Sequence, residues 1–97
     1  MPRQRKSRER TVPRPFTLHW GNGRIVEEAT YAGQRHQPSL QLLEFEDGSA
    51  AVRFCYYDHA GRFQRSPLIV SNDEIAGLKD ALAAAPRLRS LLRELVS

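Results

Sequence analysis

The stretch "LQLLEFEDGSAAVRFCYYD", Leu40 to Asp58, decides the fold. It reads as two strands joined by a tight turn. Leu40–Glu46 is rich in large apolar residues, Asp47-Gly48 is a dipeptide suited to the positive φ of a hairpin, and Ala50–Asp58 returns with alternating character. A second turn, "HAG" (59–61), leads to "RFQRSPLIV" (62–70), whose Pro67 lacks an amide hydrogen and so predicts an edge strand or a bulge. Upstream, Phe16, Leu18 and Trp20 alternate on one face of "FTLHW", "GNG" (21–23) suggests a turn, and "RIVEEATYA" suggests a returning strand. The pattern does not say whether this first hairpin joins the main sheet.

After the strands the period changes. Ser71 with Glu74 three residues on is a capping-box pattern, in which side chains and backbone satisfy each other's free groups. Ile75, Leu78 and Leu82 then recur at helical spacing. Pro86 is a kink or the first residue of a new helix, in which Leu88, Leu91, Leu92 and Leu95 form a stripe. Strands followed by helices predict an α+β domain: an antiparallel sheet of four to five strands with one or two C-terminal helices packed on one face. The leucine stripe exceeds what one end of so small a core would hide, and it predicts a homodimer interface.

The chain has 97 residues and a net charge of +4, unevenly distributed. Residues 1–14 hold six basic side chains, among them Arg5, Lys6, Arg8 and Arg10, against the single acid Glu9. The rest carries nine basic and ten acidic residues. A disordered basic arm (1–14) is therefore expected ahead of one domain (15–97), and such an arm suits salt-sensitive contact with phosphates. The one cysteine, Cys55, forms no internal disulfide, and with no signal peptide or apolar run of membrane-spanning length a cytoplasmic location is expected. Cys55, Asp58 and the three histidines lack the short spacing of a metal motif. No orienting third group or oxyanion loop accompanies them, and no cofactor fingerprint is present, so an enzyme is not expected.

The strand Val52–Tyr57 decides where a ligand would sit. Val52, Phe54 and Tyr56 share one side, which the more apolar composition assigns to the core beneath the helices. Arg53 and Tyr57 then fall on the open face. With Arg62, Phe63 and Arg65 beyond the turn, and Trp20 at a sheet rim, that face combines guanidinium groups for phosphates with rings for bases. The expected partner is single-stranded DNA or RNA, bound with little sequence specificity. The alternative is a protein–protein interaction module with no nucleic-acid role.

From Leu40 to Leu82 the order of features resembles the positive-cofactor-type transcriptional coactivators and their small bacterial relatives. The matching pieces are "LQLLEFEDGSAAVRFCYYD", "HAGRFQR", "PLIV" and "SNDEIAGLKDAL". The resemblance implies a curved four-stranded sheet that binds single-stranded DNA, a dimerising helix, and a role in transcription. It makes Tyr57 the best-matched aromatic position, with Arg62 and Arg65 in the basic segment before the last strand. Pro67 stands where that family usually has glycine, and Cys55 lies nearest to where it usually has arginine.

Overall fold

The computed structural model describes residues 10–64 and 67–97. Five strands, β1 (Arg14–Leu18), β2 (Gly21–Thr30), β3 (Gln37–Phe45), β4 (Ala50–Tyr57) and β5 (Leu68–Ser71), form one antiparallel sheet in the order β1-β2-β3-β4-β5. Consecutive strands are neighbours throughout, the simplest topology that short connections allow. The first hairpin is thus part of the main sheet. A 3-10 turn (Asn72–Glu74) and two helices, α1 (Ile75–Leu82) and α2 (Pro86–Val96), follow.

Each tight turn is specified by local chemistry. At Asp47-Gly48 the glycine adopts φ +91°, and the Asp47 carboxylate accepts hydrogen bonds from the Ser49 amide (2.9 Å) and hydroxyl (2.6 Å). In the turn after β4, Gly61 adopts φ +85° and Asp58 accepts from the amides of Ala60 and Arg62. The first turn differs from expectation. It is formed by His19 and Trp20, and residues 21–23 already belong to β2. Gly23 is needed for closeness rather than for turning. A Cβ there would stand 2.0 Å from the Glu44 carbonyl oxygen on the neighbouring strand. Gly23→Ala is expected to force β2 and β3 apart and to lower stability by about 1–3 kcal/mol, measurable by urea denaturation.

The two sides of the sheet differ. On one, here the inner face, Phe16, Ile25 and Leu43 form a buried cluster, with Leu18, Phe45 and Ile69 packed against it. Register continues this face through Ser39, Gln41, Ala51, Arg53, Cys55 and Tyr57, all buried. A bulge at Val26, where the pairing shifts between Ile25 and Glu27, restores Glu28 to the same side and adds local bend and twist. On the other, outer face lie Leu40, Leu42, Val52, Phe54, Tyr56 and Leu68. Phe54 is 39% and Tyr56 43% exposed, and Val70 is the buried residue of this side.

The expected assignment of faces is therefore reversed: Arg53 (6% exposed) and Tyr57 (5%) point inward, while Phe54 and Tyr56 point out. The helices also depart from expectation. Ser71 donates its amide to the Glu74 carboxylate at 3.0 Å, starting the 3-10 turn, and Pro86 opens α2 as a separate helix. Yet no residue of α1 or α2 is buried. Their main contacts are with each other and with the 3-10 turn, which touches β4. They continue from the sheet's edge without packing across either face.

Candidate nucleic-acid interface

The inner face contains a polar assembly built from four strands. Gln41, in the middle of β3, lies opposite Glu28 of β2 and Arg53 of β4 in the register. Its amide nitrogen donates to Glu28 Oε2 (2.7 Å) and to the Tyr57 hydroxyl oxygen (2.9 Å), and its amide oxygen accepts from Arg53 Nε (2.6 Å). The amide orientation is thereby fixed, since a flipped amide would oppose two donors. Arg14, at the start of β1, places both terminal nitrogens on the Glu28 carboxylate (2.8 and 3.0 Å), and one also donates to the Tyr57 hydroxyl (3.2 Å). Ser39 donates to Glu28 at 3.1 Å.

Burial pushes the Glu28 carboxyl upward, but the hydrogen bonds from Arg14, Gln41 and Ser39, with the Arg14 charge, outweigh it. The group is held below the usual carboxylate range. Arg53 is differently placed. Its guanidinium lies over the Phe63 ring (4.8 Å to the centroid), and among the described residues no carboxylate is within ion-pair reach of it. Among the described residues its partners are neutral, and a buried cation so placed loses hydration without a counter-charge from them.

Rings and guanidinium groups alternate around Tyr57. Arg10 lies over the Tyr57 ring at 3.9 Å and donates to Gln37 Oε1 at 2.9 Å, and Phe63 meets Tyr57 edge-on at 5.5 Å. Phe63 is 42% exposed. Arg62 is exposed beside it, tethered to Asp58 at 2.8 Å. Arg10, Arg53, Tyr57 and Phe63 are thus brought together, with Arg62 next in the chain and held to Asp58, although Arg53 and Tyr57 are closed in by their neighbours rather than laid open. Because Arg10 and Arg14 are bound to the sheet, the folded body begins ahead of Pro15.

Trp20 is apart from this cluster. It stacks on Phe45 (5.4 Å, 29° between planes) and is 58% exposed, at the other end of β3. The groove beside it, about 960 Å³, is rimmed by Glu46, Asp47, Asp73 and Glu74, a charge that repels phosphate. Each of these acids is held by a local bond, to Asn22, Ser49 or Ser71. Arg5, Lys6, Arg8 and Arg65 lie outside the described residues. Leu88, Leu91 and Leu95 are exposed and Leu92 is half-buried.

Sequence reasoning missed Arg14, Glu28 and Gln41. A usable signal existed: once the hairpins are set, these polar residues fall opposite Arg53 and one another. Burial pushes the Cys55 thiol upward, and His59 bonds the Gln34 carbonyl oxygen at 2.9 Å. Among the described residues no group of His, Cys, Asp and Glu could hold a metal ion, and no helix is long and apolar enough to cross a membrane. Comparison of the chain with protein-family models, curated proteins and solved structures finds no match.

Proposed function

We propose that the protein binds single-stranded nucleic acid with low sequence specificity, as a homodimer joined through its C-terminal leucine stripe. The observation that carries this reading is where the basic arm meets the body. Arg10, the first described residue after residues 1–9, rests on Tyr57 beside Phe63, with Arg53 adjoining and Arg62 the residue before Phe63 in the chain. Arg3, Arg5, Lys6 and Arg8 precede Arg10 in the chain, and their charge favours capture of a phosphate backbone at this protein. Phe63 offers its free surface to a base, Arg62 supplies an accessible guanidinium, and Arg53 adds positive potential that no described carboxylate cancels. Such contacts grip a backbone and stack bases without reading their edges. The resemblance of residues 40–82 to single-strand-binding coactivators points the same way.

A labelled oligothymidine titrated at two salt concentrations tests the reading. Binding is expected to weaken steeply with salt. Removal of residues 1–9, which hold four basic side chains, is expected to reduce the slope of log affinity against log salt by about 2–3. No binding by the full chain at low salt would leave the competing reading, a protein-interaction module, which the uncovered apolar surfaces favour.

A further inference from the structure

Among the described residues two apolar surfaces lack a cover, and they match. The outer face presents Leu40, Leu42, Val52, Phe54, Tyr56 and Leu68, with Phe54, Tyr56 and Leu68 exposed. α1 and α2 present Ile75, Leu78, Leu88, Leu91 and Leu95, exposed as well. The eight and eleven residues of the two helices amount to about 28 Å of helix, and the eight residues of β4 to about 26 Å of strand. The polar borders also correspond. Glu27 and Glu44 flank the outer face against the single base Arg24, which pairs with Glu44 in the register, and α2 carries Arg87, Arg89 and Arg93 against the single acid Glu94. Contiguous exposed apolar surface of this extent marks an interface.

We infer that a second copy of the chain fills both surfaces at once: the helices of each copy lie on the outer sheet face of the other. This rests on the homodimer proposed above but replaces helix-to-helix packing with reciprocal helix-on-sheet packing. A two-fold dimer is the economical solution because each copy carries both halves of the contact, so one arrangement covers both surfaces and leaves no open end. An unrelated partner would cover one surface and leave the other wet. The inner face, with Arg53 and Phe63, stays outside the contact, so two nucleic-acid sites remain available per dimer.

The discriminating residue is Phe54, which lies on the sheet and belongs to neither helix. Sedimentation of the full chain is expected to show a dimer. Phe54→Glu, a surface change checked for folding by circular dichroism, is expected to raise the dimer dissociation constant at least about 100-fold, because each dimer loses the contact twice. Leu91→Glu is expected to do the same. If Phe54→Glu leaves the dimer intact while Leu91→Glu dissociates it, the helices meet each other and the exchange is wrong. A monomeric unaltered chain also overturns it. Should Phe54→Glu not fold, carbodiimide cross-linking of a mixed 14N/15N dimer replaces it. Inter-chain links from Lys79 to Glu27 or Glu44 support the exchange, and links confined to the helices refute it. The oligothymidine titration is read separately. A dimer sensitive to Phe54→Glu that ignores the oligonucleotide keeps this inference and loses the nucleic-acid reading, and the opposite pair of results does the reverse.

Discussion

Tyr57→Ala is expected to lower stability by about 3–5 kcal/mol in urea denaturation, a large share of the roughly 5–15 kcal/mol that holds a small domain together. Strand alternation alone suggests an exposed stacking platform at this position, whose loss would spare the fold. The residue is instead buried, packed between Arg10 and Phe63, with a hydroxyl oxygen that accepts from Arg14 and Gln41. Removing the ring opens a cavity and frees both donors. Tyr57→Phe separates the two contributions: it keeps the ring and removes one shared acceptor, at an expected cost of about 1–2 kcal/mol. A mild effect of Tyr57→Ala on folding would mean that the inner face is open, contrary to the burial described above.

The second large effect is expected at Glu28. Glu28→Ala removes the acceptor of Arg14, Ser39 and Gln41 together. A nearly buried carboxylate is involved, but Arg14 retains contact with water, so about 2–4 kcal/mol is expected, short of a fully buried pair. The same group gives the fold an acid sensitivity. Its pKa is lower in the folded than in the unfolded chain, so its contribution is fully present above the ordinary glutamate value of about 4.3. That contribution is lost as the pH falls through the depressed folded value. The exposed Asp47 and Asp73 and the half-buried Asp58, each lowered by local hydrogen bonds, act in the same direction. Denaturation followed from pH 7 to pH 3 should therefore show a shallower acid loss for Glu28→Gln than for the unaltered chain. Equal slopes would mean that Glu28 does not carry the acid sensitivity.

How much of this was legible depended on whether the information was local. The hairpin of β3 and β4, the Asp47-Gly48 turn, the edge position of β5 after Pro67, and the start of α2 at Pro86 all follow from residues adjacent in the chain. The face of β4 did not. Alternation fixes which residues share a side, not which side is inward. Judged by apolarity alone, Val52, Phe54 and Tyr56 belong inside. They lie outside because Arg53 meets Gln41, and Tyr57 meets Gln41 and Arg14, which Glu28 holds from a third strand, and those partners are recognisable only after the strand order is known. Gly23 misled for a related reason: a glycine needed because Glu44 approaches from the next strand looks, in one strand, like a glycine needed for a turn.

The helices illustrate a third limit. Their apolar spacing is plain in the sequence, and the usual rule for a small domain lays such helices on the sheet of their own chain. The short 3-10 turn after β5 instead carries them onward from the edge, and no described residue covers either apolar surface. A stripe in the sequence specifies that something will be buried, without specifying whose chain does the burying.

Whether the cluster around Phe63 grips a single strand is tested most directly by titrating labelled oligothymidine with the full chain and with its Arg62→Ala/Phe63→Ala variant, both shown by circular dichroism to be folded. Loss of one stacked base should alone weaken binding by about 5- to 150-fold, with the Arg62 contact adding to it. Equal affinity of the two proteins at the same salt concentration would contradict it.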